Sequence, residues 1–282
     1  MINKDNEYQT LIVPDTKFSS TYWRDILRYQ DLLYFLVYKE IAVLYKQTIL
    51  GFSWAIIRPL FSMVIFSIIF GNLAKIPSDG IPYPIFSYVA LVPWTYFSTA
   101  LTKSSLSLIS FSAIFTKVYF PRVFIPIVPV ISGLLDFAIA FSFVLIMMFY
   151  YDIMPSYSIL ILPYLILMMV VFSTAIGLFL SALSIQYRDI RNGMQFLTQL
   201  LMYATPVVWP VSLLSEKISA NMFKIYSFFP MVGVIEGFRA AILGKTPIPW
   251  DLILSGSITC LILIVLSLIY FSRKEKIFAD VA

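Results

Sequence analysis

The chain has 282 residues, of which 60% are hydrophobic and 12% charged, with a net charge of +5. Soluble domains carry about a quarter charged residues, so a water-soluble globule is excluded and an all-α polytopic membrane protein is expected. Histidine is absent and Cys260 is the one cysteine, which removes the commonest general base, any intrachain disulfide and any thiolate metal site.

Residues 1–20 read as a cytoplasmic tail. No cleavable signal peptide is expected, because no uninterrupted apolar run followed by small residues precedes residue 50. Residues 21–50 form an amphipathic helix. At 100° per residue, Arg24, Arg28, Asp31, Lys39 and Lys46 fall on one side and Trp23, Leu27, Tyr34, Val37, Ile41 and Leu44 on the other, with Phe35 an exception on the polar side. That pattern suits a helix lying in the interface plane of a membrane.

A membrane core needs about 20 apolar residues per helix. Six segments qualify, at 51–74, 84–101, 123–150, 158–185, 194–213 and 252–271, giving a transmembrane domain over 51–271 and a tail over 272–282. Placing both termini in the cytoplasm leaves only Lys75, Lys217, Lys224, Arg239 and Lys245 outside, so 15 of the 20 basic residues lie inside. The long external connection, about 214–250, is apolar over 225–243 but broken by Pro230 and charged at Glu236 and Arg239. A re-entrant or interfacial helical hairpin fits it better than a seventh span.

Gly244, Lys245 and Thr246 resemble the end of a phosphate-binding loop. That motif needs a glycine where Arg239 stands, and Pro247 and Pro249 forbid the helix that would follow. Arg188, Asp189 and Arg191 cluster in the shortest internal loop, 187–192, either as ordinary inside charges or as a docking point. The adjacent Gly193 would let the chain turn into the fifth span. Glu236 and Arg239 share a helix face, either as an intramolecular ion pair or as part of a gate with Pro230 and Gly233. Asp136 is the one carboxylate deep in a span, a place where charges usually face protein or water. Arg58 and Lys103 are its candidate partners.

The motif YKQTILGFSWAIIRPL resembles the opening motif of polysaccharide-exporting ABC permeases, with Tyr45, Lys46, Leu50, Gly51, Trp54, Pro59 and Leu60 matching. Leu44 stands where that family has arginine, and Arg58 where it has asparagine. Four further motifs follow in the family's order: YRDI at 187–190, TPVVWP at 205–210, FPMVGVIEGFRAAILG at 229–244 and the tail RKEKIFADVA.

The resemblance implies the channel subunit of an ATP-driven exporter of a lipid-linked, O-antigen-like polysaccharide in the bacterial inner membrane. It implies a homodimer with two copies of a nucleotide-binding ATPase subunit, no nucleic-acid partner, and no cofactor on this chain, ATP and Mg being held by the partner. Tyr187, Arg188, Asp189, Ile190 and Arg191, with Arg24, Arg28, Lys39 and Lys46, would couple to the ATPase. Glu236, Arg239, Pro230 and Gly233 would form an external gate. Tyr88, Trp94, Tyr96, Tyr203 and Trp209 are candidates to line the channel, because aromatic faces stack on sugar rings; the alternative for each is an interfacial belt position. Two other functions remain open: a membrane-embedded transferase acting on lipid-linked sugars, and a proton-coupled carrier using Asp136.

Overall fold

The computed structural model describes residues 27–46, 51–111, 120–154, 156–275 and 278. Arg24, the first residues of the interface helix and most of the tail motif lie outside the described residues. Among the described residues the chain is all-helical, without a strand.

The helices in chain order are α1 (Gln30–Lys46), α2 (Ser53–Phe66, continued by a π-helical stretch Ser67–Leu73), α3 (Tyr83–Ser110), α4 (Phe124–Tyr150), α5 (Leu162–Ser184, preceded by a 3-10 turn Tyr157–Ile161), α6 (Arg188–Ala204), α7 (Val211–Lys217), α8 (Ala220–Ser227), α9 (Pro230–Leu243) and α10 (Trp250–Lys274). Gly51, at φ +44°, sits in the left-handed region just before α2, where a side chain would be strained. Gly244, at φ +64°, ends α9 in the same way.

Four helical segments are long and apolar enough to cross a membrane: Ser53–Leu73, Phe124–Tyr150, Tyr157–Ser184 and Trp250–Lys274. Each lies within a few residues of a segment expected from sequence. The second expected span, 84–101, lies inside α3, which is 28 residues long. Its serines and threonines keep it outside the apolar set. Four of them, Ser87, Ser104, Ser105 and Ser107, face the interior. Their hydroxyls donate to backbone carbonyls, Ser107 to Ser104 O at 2.7 Å and Ser105 to Thr102 O at 2.8 Å, so the helix carries its polar atoms already satisfied.

The fifth expected span, 194–213, is not one helix. α6 begins at Arg188 and stops at Ala204, and Thr205 is extended. Pro206 and Pro210 explain the stop, since a residue before proline is pushed out of the helical region and proline has no N–H to continue the ladder. Gly193 makes no turn; it lies inside α6. The connection over 214–250 is broken too: α8 and α9 meet at 89°, which rules out a straight seventh span.

α3 is the centre of the bundle, packed on α2, α4, α5 and α9. Small residues let the helices approach closely. A Cβ on Gly177 of α5 would lie 2.8 Å from Ser104 Cβ on α3, and a Cβ on Gly233 of α9 would lie 2.6 Å from Leu252 O on α10. Such contacts replace the hydrophobic drive that lipid cannot supply between helices. Tyr88 and Tyr96 stitch α3 to α4, with the Tyr96 hydroxyl donating to Val130 O at 2.9 Å.

Candidate functional site

Three features could carry function, and each is built from residues distant in sequence. The first lies where α1 meets the bundle. α1 buries Leu36 and half-buries Leu32, Leu33, Val37 and Leu44, and it packs along α4. Arg28, Asp31, Lys39 and Lys46 are exposed, as the sequence pattern requires. Leu27, Tyr34 and Tyr38 are also exposed, 76% for Tyr34. The helix therefore has three faces rather than two: one packed on protein, one apolar and open, one charged.

At the end of α1 the Tyr45 hydroxyl donates to Asp136 Oδ1 near the middle of α4. The Tyr45 ring stacks on Phe52 with centroids 4.2 Å apart. Burial first, and then the bond to Asp136, push the Tyr45 hydroxyl above its ordinary range, so it stays a donor. Arg58 and Lys103 do not pair with Asp136, the pairing that sequence offered. Both instead line the same cavity of about 320 Å3, with Trp54, Thr95, Thr99 and Phe137. The sequence marked Tyr45 only as a motif residue, because no local pattern shows that its hydroxyl meets a carboxylate 91 positions away.

The same end of the bundle carries further exposed charges. Tyr187 caps α6 in an extended conformation, and Arg188, Asp189 and Arg191 form its exposed first turn. Asp189 there complements the positive end of the helix dipole. Ile190 is half-buried against the core. The YRDI segment is thus the start of a helix rather than a free loop. Ile185, just before it, packs on a cluster that also takes in Tyr29, Leu32 and Leu33 of the α1 region, together with Phe271 and Phe278. Glu275 joins this end as well: its Oε1 accepts from the Arg122 backbone N–H at 3.0 Å.

The second feature lies at the opposite end. Arg239 and Glu236 form a buried ion pair at 2.7 Å, with side-chain exposures of 3% and 12%. Arg239 also donates to Val207 O at 2.8 Å and to Trp209 O at 3.3 Å, and its guanidinium lies 3.6 Å from the centroid of the Phe86 ring. Glu236 accepts from the Val211 N–H at 3.3 Å, and the Tyr83 hydroxyl donates to Val208 O at 2.6 Å. The pair therefore holds the TPVVWP turn against α9 and α3. Pro230 and Gly233 are buried in the same helix. These four residues, expected to be an external gate, are packed inside the protomer, and their geometry is that of the intramolecular pair.

The third feature is a stripe on α6. Arg188, Asn192, Gln195, Gln199 and Tyr203 recur at helical spacing, and all are exposed. Of the expected channel-lining aromatics, only Tyr203 lies on it, 54% exposed. Tyr88, Trp94 and Tyr96 are core residues of α3, buried because their rings fill the bundle and the tyrosine hydroxyls reach α4 carbonyls. Trp209 is half-buried and stacked on Tyr226, with centroids 6.2 Å apart. Among the described residues no cluster of three or more His, Cys, Asp or Glu could hold a metal.

Comparison with known proteins agrees with this architecture. The chain is 26% identical over 255 residues to the O-antigen export system permease protein RfbA of Myxococcus xanthus, covering 90% of this chain and 96% of that protein. It is 28% identical over 252 residues to a protein of the same name from Klebsiella pneumoniae, covering 89% of this chain and 95% of the relative. A family described as ABC-2 type transporter matches residues 31–243. With most of its helical bundle inside that match, the chain belongs to the ABC-2 type transporter family.

Proposed function

We propose that this chain is the channel-forming permease of an ATP-driven exporter that moves a lipid-linked, O-antigen-like polysaccharide across the bacterial inner membrane. It works as a homodimer with two ATPase subunits that hold ATP and Mg. The relatives carry the name of O-antigen export permeases, and the α6 stripe supplies the physical support. Gln195 and Gln199 are amides at exposed positions on a helix packed against apolar spans. Amides facing hydrocarbon are costly, so such a face turns to water or to protein. α2, beside α3, leaves Phe61, Ile65 and Ile68 exposed in the protomer. A second copy covering Phe61, Ile65 and Ile68, but not the Trp54 and Arg58 end of α2, would leave the α6 stripes around a wet central path, with Tyr203 offering a ring to passing sugars.

With both termini in the cytoplasm, the exposed charges of α1 and the first turn of α6 face the ATPase. Arg28 just ahead of α1, Lys39 and Lys46 on α1, and Arg188, Asp189 and Arg191 on α6, supply the contact. Tyr45 passes the movement of α1 to α4, and the ion-paired hairpin fixes the outer end against which the helices tilt.

The test is surface display of the glycan in a host lacking the native chain. Wild type restores display, and Gln195→Leu with Gln199→Leu lowers it while the protein still assembles with its ATPase. Full display by the double-leucine variant would remove the channel assignment; transport confined to a small solute would remove the polysaccharide.

A further inference from the structure

The cavity between α1, α2, α3 and α4 holds a charge imbalance. Arg58 and Lys103 both line it, and its one carboxylate is Asp136, which already accepts from Tyr45. Among the described residues neither cation has an anionic partner. Arg58 has only the Trp54 ring, with the guanidinium 5.9 Å from its centroid. Cations within membrane helices are expensive and are seldom kept without a counter-charge.

The surroundings indicate what that counter-charge is carried on. Val92, Phe137 and Ala140 give the cavity apolar walls beyond its charges. Its side toward α2 is open, since Trp54 and Arg58 are exposed and the α2 span is buried over only 6% of its apolar window. A ligand therefore reaches the site sideways, from the bilayer. The cavity, at about 320 Å3, matches the lower end of ligand pockets, about 300 Å3, which is room for a head group and the first atoms of a chain. Guanidinium forks and ammonium points are the two usual partners of phosphate oxygens.

We propose that Arg58 and Lys103 bind the phosphate or pyrophosphate head of a membrane amphiphile in this cavity, with Asp136 setting the affinity by opposing it. The inference does not rest on the cargo being a glycan, and it is read separately from export.

The experiment uses the full chain in phosphatidylcholine nanodiscs, titrated calorimetrically with farnesyl pyrophosphate. Saturable binding is expected. Arg58→Gln and Lys103→Gln each weaken it about tenfold, the worth of one charge-assisted contact. Lys103→Arg, which keeps the charge, retains it. Asp136→Asn strengthens binding, because it removes the opposing charge while leaving an oxygen for Tyr45; a variant that merely perturbs the fold would weaken it instead. Competition by phosphatidylglycerol in the disc assigns the site to bilayer lipid, and its absence assigns it to a prenyl carrier, both within the proposal. Farnesol binding as tightly as its pyrophosphate, inorganic pyrophosphate binding equally well, or unchanged affinity in both glutamine variants would overturn it.

Discussion

Tyr45 and Asp136 lie 91 positions apart in the chain and share a hydrogen bond that ties the end of α1 to the middle of α4. It joins a residue of the opening motif to the one carboxylate deep in a span. α1 and α4 are thereby fastened at a polar point. Whatever moves α1 at that end also pulls on α4.

Tyr45→Phe keeps the ring stacked on Phe52 and removes only the hydroxyl. The expected loss of stability is about 1 kcal/mol, the net worth of one hydrogen bond, and thermal unfolding in detergent measures it. Export per ATP hydrolysed should fall further than stability does. Equal ratios in variant and wild type would show that the bond transmits nothing.

Arg239→Ala leaves the Glu236 carboxylate buried without its cation. Breaking a buried pair on one side costs about 3–5 kcal/mol, so the variant should be recovered in low yield with a much lower unfolding temperature. Replacing both partners, Glu236→Leu with Arg239→Met, should recover part of that loss, because no unpaired charge remains. A double variant as unstable as Arg239→Ala would show that the bonds to Val207 and Trp209 matter more than the charge.

Two glycines predict opposite outcomes. A Cβ at Gly233 would meet the Leu252 carbonyl oxygen at 2.6 Å, whereas a Cβ at Gly193 meets nothing within 4 Å. Gly233→Ala should destabilise the α9–α10 packing by about 1–3 kcal/mol. Gly193→Ala, in an exposed helical position, should gain up to about 1 kcal/mol. Paired melting curves decide both.

Asp189→Lys reverses a charge in the exposed first turn of α6. Stimulation of the ATPase partner and glycan export should both drop, with the protein amount unchanged. If co-purification of the ATPase and export persist at wild-type levels, the docking point lies elsewhere.

The apolar spans were readable because length and hydropathy alone define a crossing helix, and 123–150 and 158–185 reappear almost unchanged as Phe124–Tyr150 and Tyr157–Ser184. α6 was misplaced because apolar residues on both sides of Pro206 look continuous to hydropathy, while the proline breaks the helix between them. Aromatic side chains could not be sorted by sequence either. Tyr96 and Tyr203 have the same chemistry, but one finds a carbonyl on α4 and the other faces outward. The Asp136 partner was invisible for a related reason. Counting charges points to Arg58 and Lys103, and only the packing of α1 on α4 brings a neutral hydroxyl nearer.

Phe278 is fully buried on Phe271, their rings 5.3 Å apart, in the cluster that also receives Tyr29, Leu32 and Leu33. α1 thus rests partly on a residue made long after it. Its seat is incomplete until Phe278 has been made, so this part of the chain cannot finish folding in the order in which it is synthesised. A truncation ahead of Phe278 should show its damage at the other end of the sequence, as faster proteolysis around α1, long before any span is lost.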